Sequence, residues 1–249
     1  MVLTTRRNNR GAAIGPVGGI LFDKDGTLVD YAATWSPINR SAALIAAGGS
    51  DDEAARLLRL VGGDPATGHA IADTLLAAGT TPELAAAWAE AGSPVDRDAL
   101  TERLDHLFRS SVGAAVPVTD LAALFARLKR RGVRLGIASS DNAAAVAATA
   151  ERFGLGDHVD FLAGYDSGHG SKPSAGMLTA FCSTTGVAPL AAVVVGDNLH
   201  DIEMGRRGGA GLTVGVLTGT GTPESLGAAA DVVLDSIEDL ETLLFGDAA

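Results

Sequence analysis

The stretch Gly18–Asp30, GGILFDKDGTLVD, runs an apolar segment straight into two carboxylates, Asp23 and Asp25, separated only by Lys24. Three other segments end in the same manner. The run opening at Val133 finishes in IASSDN and presents Ser139 and Ser140. The loop GYDSGHGSKPSAG offers Asp166, His169 and Lys172 just ahead of a helical pattern. The run AAVVVGDNLHD finishes in Asp197 and Asn198, with Asp201 about one helical turn further on. Carboxylates brought together repel one another unless a cation neutralises them. An all-oxygen ligand set suits Mg²⁺. Lys172 adds a second positive charge, and serine hydroxyls with helix N-terminal amides add hydrogen-bond donors. Such a set holds a small anion, and phosphate is the obvious candidate. One carboxylate can then attack phosphorus as a nucleophile, while a second two residues away shuttles protons.

These residues converge only if the elements that carry them share an edge. Val17–Phe22 reads as a buried strand, and similar short apolar runs recur at Val133–Ala138, Ala192–Val195, Leu212–Val216 and Val232–Leu234. Helical patterns lie between them: Leu121, Leu124, Phe125 and Leu128 after Thr119-Asp120, then Asn142–Phe153, Ala175–Thr185 and Ile237–Leu244. The alternation predicts an α/β fold, a Rossmann-like parallel sheet with helices on both faces. In such sheets ligands bind at the carboxyl ends of the strands. From Tyr31 to Ala114 the alternation stops, and Ala- and Leu-rich helical stretches are broken at Gly48-Gly49, Gly62-Gly63-Asp64-Pro65, Gly79-Thr80-Thr81-Pro82 and Gly92-Ser93-Pro94. The expected organisation is a leader over 1–16, a discontinuous core over 17–30 and 115–249, and an inserted all-helical cap domain over 31–114. Placed after the first strand, that insert would sit above the ligand crevice as a lid.

Composition narrows the partners. The 249 residues carry 19 Lys and Arg against 30 Asp and Glu, a formal net charge of −11. That balance argues against nucleic acid or an anionic membrane surface, both of which demand cationic surface. Aromatic residues make up only 4%, so the core is aliphatic. Cys182 is the only cysteine, which rules out an intrachain disulfide and fits a cytoplasmic location. No apolar stretch is long enough to span a bilayer. The Arg pair in MVLTTRRNNRGAAIGPVGG superficially suggests an export signal, but the short Gly-rich stretch behind it reads as a flexible leader.

DKDGTLVD, IASS, SKPSAG and GDNLHD resemble, in order and spacing, the four motifs of the haloacid dehalogenase superfamily. The helical insert after the first motif is similar to the cap of its phosphoglycolate phosphatase-like branch. The resemblance implies a Mg²⁺-dependent phosphatase acting on a small phosphorylated metabolite. It implies Asp23 as the nucleophile that forms an aspartyl-phosphate, and Asp25 as the acid that protonates the leaving alkoxide and later activates water. Ser139 would bond a phosphoryl oxygen, and Lys172 would neutralise Asp23 and the transferring group. Mg²⁺ would be held by Asp23, the backbone carbonyl of Asp25, and Asp197, with Asp201 as ligand or outer partner. Gly26, Thr27 and Ser140 are expected near the substrate. The chain departs from the family pattern in two places: Ser140 replaces the usual Asn after Ser139, and Lys172-Pro173 continues as Ser174-Ala175-Gly176 rather than x-Pro-Asp.

Other family activities are tested by single residues. Asp25 argues against a dehalogenase, which lacks the second aspartate. The three lysines are Lys24, Lys129 and Lys172, so the insert has none to form the Schiff base of a phosphonatase. A sugar phosphomutase of the β-phosphoglucomutase kind shares all four motifs, but Thr27 and the lysine-free insert favour hydrolysis. A non-catalytic phospho-ligand sensor would have no reason to retain Asp23, Asp25, Lys172 and Asp197 together. In the insert, Arg40 is the candidate anchor for a substrate's second anionic group, against the plainer reading of a surface arginine. Trp35 reads as core, His69 and His169 as loop residues, Asn142 as a helix cap, and Lys24 as pointing away from the site.

Overall fold

The computed structural model of the chain describes residues 15–246, so residues 1–14 of the expected leader lie outside the described residues. Six strands form one parallel sheet: β1 (Gly19–Phe22), β2 (Arg134–Ala138), β3 (Phe161–Ala163), β4 (Ala192–Gly196), β5 (Leu212–Val216) and β6 (Val232–Leu234). Their order across the sheet is β3-β2-β1-β4-β5-β6. The order reverses between β1 and β4, the position at which open α/β sheets carry their ligand crevice.

Side-chain alternation along the central strands feeds two cores. Ile20 and Phe22 of β1, Leu135 and Ile137 of β2, and Val193 and Val195 of β4 face one side. There they meet α6 (Leu121–Arg130) and α7 (Ala143–Arg152), with Phe22 stacked on Phe125 at 5.1 Å between ring centroids. Leu21 and Val194 face the other side, against Met177, Leu178 and Phe181 of α8 (Gly176–Thr185) and Met204 of α9 (Leu199–Arg207). Fully buried strands between two helical layers need no polar face, which is why β1 and β4 read as continuous apolar runs. Two helices complete this part: α10 (Pro223–Ala229) and α11 (Leu240–Phe245). A 3₁₀ turn, Ile237–Asp239, takes the place of the first turn predicted for the last helix.

Between β1 and α6 the chain forms α1 (Tyr31–Ala46), α2 (Asp51–Leu60), α3 (Leu75–Ala78), α4 (Thr81–Glu90) and α5 (Arg97–Ser111). The helix starts follow from local chemistry. Asp30 Oδ1 accepts from the Ala33 amide at 2.8 Å, Ser50 caps α2, and Asp96 accepts from the Asp98 and Ala99 amides. This helical insert has a core of its own, built from Leu57, Leu58, Leu84, Trp88, Leu100 and Leu104. Its two connections to the sheet run side by side: Asp30 donates its amide to Val116 O at 2.8 Å, and Val118 donates to Leu28 O at 3.0 Å. Among the described residues no helix is long and apolar enough to cross a membrane.

Candidate active site

Register does the gathering. Phe22 pairs with Ile137 on one side and Val195 on the other, so Asp23, Ser139 and Asp197 follow the ends of three adjacent strands. The Asp23 amide continues the ladder to Val195 O at 2.8 Å, and the Ser139 amide reaches Ala163 O at 3.0 Å. Lys172 arrives from the loop before α8, and Asp201 from the first turn of α9. The Lys172 ammonium pairs with Asp23 and, at 2.6 Å, with Asp201 Oδ1. All five side chains are buried.

Burial in a crowded site sets the protonation. The Asp23 carboxyl is pushed up to about 7 by burial, with Lys172 opposing and Asp201 and Asp25 adding to the shift. Asp197 is likewise pushed well up by burial, reinforced by Asp23 and Asp201. For the Lys172 ammonium burial acts downward, but Asp201 and Asp23 outweigh it and raise it. Asp197 Oδ2 accepts from the Thr220 amide at 2.7 Å and its hydroxyl at 3.2 Å, which fixes one of its oxygens. Asp201 Oδ2 accepts from the Asn198 amide at 3.2 Å and closes a capping box on α9. Asp23, Asp197 and Asp201 each place one ligand oxygen within 4.8 Å of the others. Three buried carboxyl groups share one ammonium, and the two that burial pushes up ionise fully only against further positive charge, which leaves a set of oxygen donors for a cation. That donor chemistry fits a hard divalent cation such as Mg²⁺. The Asp25 carboxylate lies outside this triad.

Asp23, Asp197, Asp201 and Lys172 open into a cavity between the sheet edge and the insert. Ser139, Ser140, Asp25 and Asp141 line its core side with them. The Ser139 hydroxyl accepts from the Asp141 amide at 3.1 Å, so its own proton is available to a ligand. Ser140 donates to Ala78 O at 3.2 Å and so ties the core to the insert. Gly26 adopts φ +87°, and a Cβ there would stand 2.5 Å from Asp197 Cγ. It backs the triad instead of lining the cavity, and Thr27, fully buried, does not line it either.

Several expectations change. Lys24 stays out of the cavity, as expected, but it is not a surface group: it is buried with its ammonium between Asp25 Oδ1 (2.8 Å) and Asp141 Oδ2 (3.1 Å), 5.3 Å from the Trp35 ring centroid. The sheet exit directs it sideways into a pocket where two carboxylates require a cation. Arg40 does not reach the cavity; it is exposed and donates to Ala66 O at 3.1 Å, held by the loop ahead of it. Trp35 lines the cavity and donates its indole N–H to Asp25 Oδ1 at 2.7 Å. Asn142 caps α7 through the Ala145 amide, and Asp166 supports the same helix by accepting from the Ala143 amide at 2.7 Å. His169 rests against Phe161, outside the cavity. Three further residues belong here: Asp141 and His200 line the cavity and Thr220 holds Asp197, and of these only Asp141, next to Ser140 at a strand end, carries a signal in its sequence position.

Comparison with known proteins agrees with this geometry. The family model described as "Hydrolase: haloacid dehalogenase-like hydrolase" matches residues 17–209. An N-acetylmuramic acid 6-phosphate phosphatase from Pseudomonas aeruginosa is 26% identical over 229 residues, covering 90% of this chain and 93% of that protein. A phosphoglycolate phosphatase from Chromobacterium violaceum is 32% identical over 95 residues, 38% of this chain and 41% of that one. The crystal structure of a HAD hydrolase, family IA, variant 3, from Entamoeba histolytica superposes with a TM-score of 0.69 at 18% identity, covering 93% and 98% of the two chains, and so shares the fold. With the family model spanning most of its length and the sheet edge arranged as described, this chain belongs to the haloacid dehalogenase-like hydrolases.

Proposed function

We propose that this protein is a Mg²⁺-dependent phosphatase that hydrolyses a small phosphorylated metabolite through an aspartyl-phosphate on Asp23. The observation that carries the reading is the ion pair of buried Asp23 with Lys172 at the edge of the Asp23–Asp197–Asp201 triad, open to the cavity between the sheet edge and the insert. The phosphatase names of the two relatives support the same reaction class. An Asp23 carboxylate oxygen attacks phosphorus, the bond from phosphorus to the ester oxygen breaks, and Asp25 passes its proton to that oxygen. Asp25, now a carboxylate, takes a proton from water as the water oxygen attacks phosphorus. The bond from phosphorus to Asp23 breaks and inorganic phosphate leaves. Lys172 offsets charge on Asp23 and the phosphoryl oxygens, and Ser139 donates a hydrogen bond to one of them. Mg²⁺ held by Asp23, Asp197 and Asp201 would supply the charge that lets a phosphate dianion approach three carboxylates.

The test is release of inorganic phosphate from p-nitrophenyl phosphate with and without Mg²⁺, in the wild type and in Asp23→Asn. The amide variant should keep its circular dichroism spectrum and lose at least about a thousandfold in kcat, because the nucleophile is gone. Turnover near wild type in Asp23→Asn would remove the covalent mechanism, and no Mg²⁺-dependent release by the wild type would remove the phosphatase reading.

A further inference from the structure

The cavity has two unlike walls. The core side carries every charged group that lines it: Asp23, Asp25, Asp141, Asp197, Asp201 and Lys172. On the insert side none of the lining residues is charged, and the wall is formed chiefly by Trp35, Leu75, Leu76, Leu84 and Phe108, with Asn39 among its polar members. The Asn39 amide donates to Gly68 O at 3.0 Å. Arg40, the one insert cation the sequence suggested for a second anion, is exposed and bound to Ala66 O. The start of α4 also lines the cavity, through Thr80 and Thr81. Helix starts attract anions, but this one is already served: Glu83 accepts from both the Thr80 amide and the Thr80 hydroxyl at 2.8 Å. On the core side Lys172 is engaged by Asp23 and Asp201.

A substrate phosphate at the triad therefore directs its organic part toward a wall that is apolar and has no cation to offer. A carboxylate or second phosphate pressed there would lose its hydration without gaining an ion pair. Resting on the phosphatase reading above, we infer that the substrate is a phosphate monoester whose organic part is uncharged and presents an apolar face, and that the insert wall selects against substrates with a second anionic group.

The test compares two esters that differ by one carboxylate, phenyl phosphate and 4-carboxyphenyl phosphate, with Mg²⁺ and the full chain. The wild type should show kcat/KM about tenfold or more higher for phenyl phosphate, a difference expressed mainly in KM. Ala77→Lys, which adds a cation to the half-buried insert wall, should close most of that gap; Ala77→Gln, of similar length, should leave it open. Equal or faster hydrolysis of the carboxyphenyl ester by the wild type would overturn the inference while leaving the phosphatase reading intact. An unchanged gap in Ala77→Lys would remove the insert wall as its origin. If neither ester nor p-nitrophenyl phosphate is hydrolysed, the phosphatase reading fails and the inference goes with it.

Discussion

Lys24 separates Asp23 from Asp25 in the chain, yet in space it serves a different pair, bridging Asp25 and Asp141 from a buried position. Burial acts to lower its ammonium, but Asp25 and Asp141 outweigh that and raise it, so it stays charged across the working pH range. Asp141 is pushed up by burial, with Lys24 opposing. Removing the cation while leaving both acids is the costly change, because it strands buried charge. Lys24→Met should therefore cost about 3 kcal/mol or more in urea unfolding. Adding Asp141→Leu to it should recover much of the loss, because the pocket then holds one fewer unpaired carboxylate. Since Lys24 does not line the cavity, the expected damage is to stability first. A single-variant cost under about 1 kcal/mol would mean that water enters this pocket and does the lysine's work.

At the scale of elements, Asp160 shows how the outer side of the sheet is fastened. It precedes β3 and accepts from Lys129 of α6 at 2.9 and 2.8 Å, from Arg134 at 2.9 Å and from the Leu135 amide of β2 at 2.9 Å. Partial burial raises its carboxyl, but the bonds from Lys129, Leu135 and Arg134 more than offset this and hold it below the ordinary range. A group lowered in the folded state contributes above its unfolded pKa and loses that contribution as pH falls through the folded value. Asp160→Ala should thus cost about 2 kcal/mol at pH 7, with a smaller penalty at about pH 3.5, read from urea midpoints at each pH. A penalty independent of pH would point to packing instead of charge. These long-range ties are also where the sequence is least legible. Asp23, Ser139 and Asp197 could be read because each directly follows an apolar run that had to be a buried strand. β3 could not, because Phe-Leu-Ala is too short to show a period. The Lys24–Asp141 pair spans 117 positions and depends on which way a side chain leaves the strand end. Arg40 is illegible for a related reason: helical spacing puts it on α1 but does not say which face of α1 meets the cavity.

For the whole molecule, the site concentrates the acidity that the net charge of −11 announces. Asp23 is raised by burial to about 7 and Asp197 well above its ordinary value, so without metal the folded protein holds protons that the unfolded chain releases. The sign follows. A carboxyl whose folded pKa exceeds the unfolded value of 3.8 favours folding fully only below that value. Its contribution then declines as pH rises, and for Asp23 the decline ends near pH 7. In the presence of a chelator, Tm should therefore fall by several degrees between about pH 5 and about pH 8. That window lies above the region where Asp160 and other lowered carboxyls lose their stabilising effect. Mg²⁺ at pH 8 replaces the missing protons and binds only the folded triad, so it should restore Tm in proportion to the logarithm of its concentration. Metal-free Asp23→Asn, with one acid fewer, should have a shallower pH dependence than the wild type and a higher Tm at pH 8. Thermal melts of both proteins across this range, with chelator and then with Mg²⁺, decide the matter. A wild-type Tm that is flat or rising from pH 5 to pH 8 in chelator would mean that Lys172 alone keeps the triad ionised, and the electrostatic case for a metal at this site would fall.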